Sequence, residues 1–308
     1  WVYVKFFRGG ITVEAIEMEG LTKIYRKRAA LDNIHLTVEQ GERFGFIGPN
    51  GAGKSTTIKL LLDFIKPSKG SARIFGLDAQ KDSESLKRII GYVPSDVHYY
   101  SNLTVEEILM MTGKFHHIQN IKEMMAYYVE RFALEPKKKM KDLSLGNRKK
   151  VAIVNSLIFN PELLILDEPT NGLDPLMQHR LFEELNYHNK EGATIFISTH
   201  NLPEVEAFCT RTAFIREGKI ISVEDMASGY QPGKVVTLTG SAIVTEDFES
   251  KGYRVLSRTD RVVSLLYKDN VNQILADMSS LDLEDIEIRN QNLEEKFMTL
   301  YGGGESHE

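Results

Sequence analysis

Hydrophobic and polar residues alternate in two segments near the beginning of the chain, and a short apolar segment follows them. The first alternation runs over residues 14–20, and the second places Ile34, Leu36 and Val38 between polar neighbours. A period of two predicts strands with one buried face. The run Arg43–Ile47 is mostly apolar and leads into a glycine, a pattern typical of a fully buried strand.

Helical spacing of apolar residues follows this predicted strand. The spacing extends over Ser55–Phe64 and returns in the amphipathic segment Ile121–Phe132. Between them, Thr104 and Glu107 have the spacing of a capping box, which marks the start of a helix. We therefore predict a strand, a loop and a helix, followed by a helical subdomain over about residues 95–160.

Buried-strand and helix patterns then alternate. Leu163–Leu166 and Ala193–Ser198 are apolar enough for buried strands, and Pro175–Asn186 between them has helical spacing. Strands that alternate with helices favour a parallel sheet in an α/β fold. Ala213–Arg216 and Ile220–Val223 flank a turn that contains glycine, which predicts a hairpin.

The chain changes character around Ser228–Gly233, where serine, glycine and proline are typical of a linker. Four strands and two helices are predicted beyond it: strands Val235–Leu238, Tyr253–Ser257, Val262–Tyr267 and Ile286–Ile288, and helices Val271–Ser279 and Leu293–Tyr301. The predicted organisation is an extension, an α/β domain, a small α+β domain and a tail, over residues 1–13, 14–228, 229–301 and 302–308.

The composition limits the possible classes of function. Of 308 residues, 42% are hydrophobic and 26% charged, as in an ordinary globular protein, and the net charge of −5 argues against nucleic acid as a partner. No apolar run reaches the ~18 residues that a transmembrane helix needs, so a transport role requires a separate membrane subunit. The single cysteine, Cys209, excludes an internal disulfide.

We interpret Trp1–Gly10 as an artificial or disordered extension, with a membrane-surface tether as the alternative.

The segment Gly48–Thr56 carries the strongest chemical signal. It fits the pattern G-x-x-x-x-G-K-[ST] between a predicted strand and a predicted helix. Glycines let the backbone curl so that its N–H groups point at phosphate oxygens, and the helix N-terminus adds positive potential. The lysine of this pattern reaches the β- and γ-phosphates, and the serine hydroxyl holds Mg²⁺. The predicted nucleotide-binding residues here are Asn50, Gly51, Gly53, Lys54, Ser55 and Thr56, with Ser55 also the metal ligand.

Two acidic residues follow the predicted strand Leu163–Leu166. Asp167 lies at the strand end, where its carboxylate can bind Mg²⁺ through water. Glu168 is then placed to act as general base on a water molecule in line with the γ-phosphate. Two acids at a strand end can also serve solvation alone, but the phosphate loop in the same chain favours the catalytic interpretation.

Further motifs, in a fixed order, make the chain resemble the ATP-binding subunit of ABC transporters. Leu143–Asn147 resembles the family signature, Asn171–Asp174 its D-loop, and Ile197–His200 a strand end with its switch histidine. Tyr25 stands where the family has an aromatic residue beneath adenine. The resemblance spans residues 16–225.

This resemblance implies a fold, ligands and roles for single residues. The fold is the α/β core of a P-loop ATPase with antiparallel β and helical subdomains, and the ligands are ATP and Mg²⁺. The implied catalytic residues are Lys54, Glu168 and His200. The nucleotide contacts implied beyond the phosphate loop are Tyr25, Ser95, Ser144, Gly146 and Asp174. Ser144 also suits the N-cap of the helix that follows, and a helix N-terminus is an anion site. The resemblance implies that this helix end faces ATP bound by a second, head-to-tail subunit.

The sequence departs from the usual family motifs. Leu145 replaces the commonest glycine of the signature, and Asn147 replaces its glutamine. Ser95 stands where the family usually has a glutamine that touches Mg²⁺ and the attacking water. A serine side chain does not reach as far, so either water bridges the gap, or Asp96 compensates, or turnover is slower.

The leading interpretation is the ATP-hydrolysing subunit of an exporter of peptides, antibiotics or other amphiphiles. Its expected partners are an integral membrane permease and a second ATPase subunit, identical or not, on the cytoplasmic face of the cell membrane. Tyr92–Leu103 is expected to dock a permease helix, and Asn292–Tyr301 resembles the tails of such ATPases.

One alternative is a soluble ABC protein of translation or DNA repair, although the chain has one phosphate loop and no sustained heptads. The other is a nucleotide sensor without turnover, which Ser95 suggests.

Overall fold

The computed structural model describes residues 14–26, 28–226, 233–240, 248–267, 270–279, 281–291 and 295. The chain forms two compact units, Trp1–Ala227 and Ser228–Glu308. The predicted extension, most of the predicted linker, the predicted helix Leu293–Tyr301 apart from Glu295, and the tail lie outside the described residues.

A six-stranded sheet forms the centre of the first unit. Numbered along the chain and given in spatial order, its strands are β10 (Lys219–Asp225), β9 (Arg211–Arg216), β3 (Arg43–Ile47), β8 (Thr194–Thr199), β7 (Leu163–Asp167) and β6 (Ile90–Val93). Strands β9 to β6 are parallel, and β10 pairs antiparallel with β9 as the predicted hairpin. Because the carboxyl ends of parallel strands meet at one edge, the loops after β3, β6, β7 and β8 lie at the same edge of the sheet.

Three helices alternate with these strands and confirm the α/β class. They are α1 (Lys54–Leu61), α6 (Pro175–Lys190) and α7 (Leu202–Phe208). Helix α6 starts with proline after an aspartate cap, a combination that favours helix initiation. Helix α1 is shorter than its prediction, because Asp63 adopts a φ of 58° and a left-handed residue ends a helix.

An antiparallel sheet forms the second layer of the first unit. Its strands, in spatial order, are β2 (Arg28–Glu39), β1 (Glu14–Tyr25), β4 (Lys69–Ile74) and β5 (Leu77–Asp78), and the short helix α2 (Ser83–Leu86) follows. Ile16 pairs with Val38 and Met18 with Leu36, and all four are buried, which confirms the predicted alternation. Strand β1 continues past its predicted end through a register shift near Gly20.

The two sheets and α1 share one hydrophobic core. Ile16 and Leu36 of the antiparallel sheet belong to the same buried cluster as Phe46 and Phe196 of the central sheet and Ile58 of α1. Full burial of such side chains contributes about 1.5–3 kcal/mol each. The core therefore holds the strand ends and the start of α1 in a fixed relation.

The predicted helical subdomain consists of α3 (Val105–Phe115), α4 (Ile121–Arg131), a 3₁₀ turn (Met140–Asp142) and α5 (Leu145–Leu157). The capping box at the start of α3 is confirmed: the Glu107 N–H donates to Thr104 Oγ1 at 3.2 Å, and the Thr104 N–H donates to Glu107 Oε2 at 2.8 Å. Among the described residues, no helix has the length and apolar character needed to cross a membrane.

A polar cluster joins the helical part to α6. Tyr127 Oη donates to Glu184 Oε1 at 2.8 Å, and Arg131 Nε donates to the same oxygen at 2.9 Å. Tyr128 Oη lies 3.1 Å from His188 Nε2. Because Glu184 and His188 are both buried and buried polar groups need partners, these contacts fix α4 against α6.

The second unit is a small α+β structure. Its antiparallel strands, in spatial order, are β12 (Arg254–Arg258), β13 (Val262–Tyr267), β11 (Lys234–Thr239) and β14 (Asp285–Asn290), and its helix is α8 (Val271–Met278). Val236, Leu238, Val263 and Leu265 of the sheet cluster with Ile274 of α8. The four predicted strands and the first of the two predicted helices are confirmed within one or two residues.

Candidate active site

Glycines shape the loop between β3 and α1. Gly51 has a φ of 80° and Gly53 a φ of 118°, in the left-handed region that favours glycine. A Cβ on Gly53 would lie 2.7 Å from Leu31 Cδ2 and 2.9 Å from the Ala30 carbonyl oxygen. Helix α1 begins directly after Gly53 without a side-chain cap. The first N–H groups of this helix are therefore available to an anion.

Lys54 is buried at the first position of α1. Its Nζ donates to the Gly48 carbonyl oxygen at 2.6 Å and lies 3.3 Å from Glu168 Oε1. A buried ammonium group is stable only when it is hydrogen-bonded or paired. The structure thus places the predicted phosphate-binding lysine in contact with the predicted general base.

Glu168 has a rare backbone conformation and two functional neighbours. Its φ is 47°, and such a left-handed conformation costs a non-glycine residue on the order of 1 kcal/mol. The Glu168 N–H donates to the Ser198 carbonyl at 2.9 Å, which holds the turn after β7. His200 Nδ1 lies 2.9 Å from Glu168 Oε2. The other carboxylate oxygen faces Lys54 but has no hydrogen bond, so it can still accept a proton.

Asp167 is buried at the end of β7. Its carboxylate accepts a hydrogen bond from the Ser198 hydroxyl, so β8 orients it. Glu168 is also linked to β8 through the Ser198 carbonyl. One residue of the neighbouring strand therefore orients both predicted acidic residues.

Lys149 of α5 is a buried cation that the sequence analysis did not identify. Its Nζ donates to three main-chain carbonyls, one of them that of Asp167 at 3.4 Å. Burial lowers the pKa of Lys149 to about 8, although the negative charges of Asp167, Glu168 and Asp96 oppose this shift. The available signal was helical spacing, because Lys149 shares the buried face of α5 with Ile153.

Glu204 of α7 is, after Lys149, the second residue of this region that the sequence analysis did not identify. Its carboxylate accepts from Thr170 Oγ1 at 3.1 Å and from Asn201 Nδ2 at 2.6 Å. Thr170 follows Glu168 by two residues, and Asn201 directly follows His200. Burial raises the pKa of Glu204, and the hydrogen bonds from Thr170 and Asn201 oppose this. Glu204 thus joins the two loops that carry Glu168 and His200.

A cavity of about 330 Å³ lies at this edge of the sheet. It brings together the predicted site residues Asn50, Gly51, Gly53, Lys54, Ser55, Thr56, Ser95, Glu168 and His200. Three further lining residues, Ala30, Pro49 and Asn171, were not predicted as site residues. Nine of the predicted site residues, from Asn50 to His200, therefore converge on one cavity, although 150 positions of sequence separate the first from the last.

Five predicted site residues do not line this cavity: Tyr25, Ser144, Gly146, Asp167 and Asp174. Tyr25 ends β1 with about half of its surface exposed, and Lys23 Nζ lies 5.2 Å from its ring centroid. Asp167 is buried and directly precedes Glu168, which lines the cavity.

Ser144 and Asp174 are both helix caps. Ser144 Oγ accepts from the Asn147 N–H at 3.3 Å at the start of α5, and Asp174 Oδ1 accepts from the Met177 N–H at 3.0 Å at the start of α6. The signature and the D-loop touch each other, because a Cβ on Gly146 would lie 2.4 Å from the Gly172 carbonyl oxygen. These two motifs therefore form one surface, and Asn171 of the D-loop also reaches the cavity of the phosphate loop.

A second cavity in the first unit, which we call the groove, measures about 420 Å³. Its lining residues are Ile90, Tyr92, Met111, Thr112, Phe115, His116, Asn155, Ser156 and Phe159. Met111 and Phe115 of α3 are about half exposed. Of the segment Tyr92–Leu103, which was expected to dock a permease helix, only Tyr92 lines the groove.

The first cavity has the donors that ATP and Mg²⁺ require. Lys54 and the uncapped start of α1 suit phosphate oxygens. The hydroxyl of Ser55 and the carboxylate of Asp167 are oxygen donors, the kind that Mg²⁺ prefers together with water and phosphate. An extra side-chain atom at Gly53 would collide with its surroundings, so the loop backbone keeps the curvature that phosphate binding needs.

Known proteins are similar to this chain in sequence. The family described as "ABC transporter" matches residues 31–171. The chain is 34% identical to the bacitracin transport ATP-binding protein BcrA of Bacillus licheniformis, over 94% of this chain and 98% of that protein. It is 30% identical to the linearmycin resistance ATP-binding protein LnrL of Bacillus subtilis, over 93% of this chain and 98% of that protein.

Solved structures share the fold. The structure of an ATP-binding subunit of an ABC transporter aligns with a TM-score of 0.66 at 30% identity, over 69% of this chain and 90% of that chain. A dimeric post-hydrolysis state of the ATP-binding cassette MJ0796, bound to ADP and Pi, aligns with a TM-score of 0.64 at 25% identity, over 70% of this chain and 100% of that chain. The present chain therefore belongs to the ABC transporter family, as an ATP-binding subunit with ATPase activity.

Proposed function

We propose that two copies of this subunit hydrolyse Mg·ATP between them and so drive export of an amphiphilic compound through a separate membrane permease. The observation that carries the proposal is the contact of Glu168 with Lys54 on one side and with His200 on the other, at 3.3 Å and 2.9 Å. This arrangement unites a phosphate-binding cation, a base and a residue that orients the base.

The chemistry follows from the contacts of Glu168. Lys54 exchanges its contacts with Gly48 and Glu168 for the β- and γ-phosphate oxygens, which are stronger anionic partners. Glu168 then takes a proton from the attacking water through Oε1, the oxygen without a hydrogen bond. His200 holds Oε2 and so fixes the orientation of the carboxylate. The proton leaves the water as the new oxygen–phosphorus bond forms and the bond to the ADP oxygen breaks.

Ser55 and Asp167 are the residues that would hold Mg²⁺. The ion supplies positive charge that stabilises the phosphate oxygens during transfer. Asp167 keeps its orientation through Ser198, and Ser55 lines the cavity next to Lys54. Both residues therefore lie on rigid elements of the sheet and helix.

The signature surface favours a dimer. Ser144 and Gly146 stand at the start of α5, where a helix N-terminus attracts anions, but they do not line the cavity of their own chain. The γ-phosphate bound by a second copy is the anion that suits them, with Asp174 at the same interface. Tyr25 would then stack on the adenine of its own nucleotide. MJ0796, a relative with 25% identity, is described as a dimer bound to ADP and Pi.

The groove supports a permease as the partner, and the relatives support the class of cargo. The groove exposes Met111 and Phe115 beside Tyr92, so it suits an amphipathic helix of a permease. The relative BcrA is named for bacitracin transport and the relative LnrL for linearmycin resistance. An antibiotic or peptide-like amphiphile is therefore the proposed cargo class. The proposed location is the cytoplasmic face of the cell membrane.

The decisive experiment replaces the proposed base. Glu168→Gln removes the proton acceptor and keeps the shape of the side chain, so steady phosphate release should fall by about 100-fold or more while Mg·ATP still binds. Glu162→Gln is the matched control, because Glu162 is exposed just before the same strand β7. Phosphate release and binding of a fluorescent ATP analogue are measured on both variants and on the wild type.

Two outcomes would contradict the proposal. Normal turnover of Glu168→Gln would show that another group acts as base. Binding of ATP without phosphate release by the wild type, with and without its membrane partner, would instead favour the nucleotide sensor.

A further inference from the structure

Lys149 is the buried cation at the junction of three elements of the ATPase unit. Only 1% of its surface is exposed. Its Nζ donates to the carbonyl oxygens of Pro94 at 2.8 Å, Ser95 at 3.2 Å and Asp167 at 3.4 Å. Among the described residues, no carboxylate lies within ion-pair distance of this ammonium group.

Three carbonyls match the three N–H donors of a lysine ammonium. Burial of an unpaired ammonium costs several kcal/mol, so this set of acceptors has to stay in place for the side chain to remain buried. The arrangement therefore restrains the carbonyls as much as it satisfies the lysine. A hydrophobic side chain of similar length would fill the space but would leave the carbonyls without donors.

The three carbonyls belong to neighbouring strand ends of the central sheet. Pro94 and Ser95 directly follow β6, and Asp167 ends β7. Lys149 itself lies in the second turn of α5, the helix that Ser144 caps. One ammonium group thus connects the signature helix to the loop of Ser95 and to the residue before Glu168.

We infer that Lys149 is a positioning residue for ATP hydrolysis, which holds the Ser95 loop and the Asp167–Glu168 turn at fixed places relative to the signature helix. Because the contacts go to main-chain carbonyls, they hold the Ser95 loop independently of the side chain at position 95. This restraint matters in a chain where serine stands at the position that a glutamine usually occupies. The inference rests on the proposed function, specifically on Glu168 as base.

The test compares Lys149→Met with Lys150→Met in the full-length subunit. The first variant removes the three donors, and the second makes the same change at the next residue, which is half-buried. We expect Lys149→Met to lower kcat at least tenfold with KM for ATP within twofold of wild type, and Lys150→Met to lower neither. Lys149→Gln keeps two N–H donors and should recover at least threefold of the lost turnover.

Hydrogen exchange supplies a readout that does not depend on turnover. In Lys149→Met, amide exchange should accelerate in peptides that cover residues 93–97 and 166–169, and should stay unchanged in β3 and α1. Faster exchange throughout the chain, with kcat and thermal stability falling together and no recovery in Lys149→Gln, would show a general structural role and overturn the inference. Unchanged kcat and unchanged local exchange would also overturn it.

The two proposals fail separately. If Glu168→Gln is inactive while Lys149→Met behaves as Lys150→Met does, only the role of Lys149 is wrong. If Glu168→Gln turns over normally, the proposed base is wrong whatever Lys149→Met does. Should Lys149→Met not fold, Lys149→Gln against wild type is judged by the same split between kcat and KM and by the same local exchange.

Discussion

The two cavities of the ATPase unit differ in how they are built. The cavity of about 330 Å³, which we call the phosphate cavity after its proposed ligand, lies at one edge of the central sheet. It is lined by loop backbone, hydroxyls and charges such as Lys54 and Glu168. The groove lies between β6, α3 and α5 and is lined by aromatic and aliphatic side chains such as Tyr92 and Phe115. The first suits a small charged ligand, and the second suits an apolar protein surface.

The two cavities nevertheless share elements. Strand β6 carries Tyr92 in the groove and leads to Ser95 in the phosphate cavity, and α5 carries Asn155 in the groove and Lys149 near the strand ends. Asn155 also accepts a hydrogen bond from Thr112 at 2.5 Å. Rigid elements that reach both sites give a physical route for coupling, which a variant of either site can test.

The largest effect is expected from a variant that alters the phosphate cavity alone. Lys54→Ala removes the cation that we propose to contact phosphate, and the loss of two charge-assisted hydrogen bonds should weaken ATP binding by about 30- to 1,000-fold. Lys59→Ala is the control, because Lys59 is exposed on the same helix. Titration with a fluorescent ATP analogue measures both. Affinity within threefold of wild type would contradict the assignment of Lys54.

An intermediate effect is expected from the groove. Phe115→Asp places a charge on its exposed apolar wall and should release at least tenfold more of the subunit from membrane vesicles of the cells that naturally produce it. Basal ATPase activity should stay within twofold, because Phe115 does not line the phosphate cavity. Tyr187→Asp, at a similarly exposed aromatic residue of α6, is the control. Equal release of both variants would show that the groove is not the docking surface.

The smallest expected effect concerns Ser95, which stands between the two regions. Ser95→Gln restores the longer polar side chain of the usual family motif, and we expect ATPase activity to be kept or to rise up to about threefold, a change of less than ~1 kcal/mol in the barrier. Ser101→Gln, at an exposed position of the same loop, is compared in a phosphate-release assay. A collapse of activity in Ser95→Gln alone would reveal a specific role for serine.

The contrast also explains what the sequence could predict. The residues of the phosphate cavity lie in short contiguous motifs beside strands, because successive backbone groups and strand ends build that site. Nine of its lining residues were therefore predicted before the structure was known. The strands of the sheet were predictable for a related reason, since burial makes Leu163–Leu166 continuously apolar and Ala193–Ser198 mostly apolar.

The groove and the positioning contacts lacked such local signals. Phe115, Asn155 and Tyr92 come from separate elements, and their meeting depends on how the helices pack on the sheet. Lys149 donates to main-chain carbonyls, which no side-chain pattern marks, and Glu204 accepts from Thr170, which lies 34 residues away in the sequence. The ends of β1 and α1 were also misjudged, because a register shift near Gly20 and the left-handed Asp63 decided them.

The close approach of Gly146 to the Gly172 carbonyl has a consequence for anyone who redesigns this subunit. A single added carbon at position 146 would have to fit within 2.4 Å of that oxygen, so a mutant library cannot vary the two loops independently. Even alanine at position 146 requires the backbone around Gly172 to shift in the same variant. Selections for altered nucleotide preference or pairing of subunits should therefore randomise both segments together.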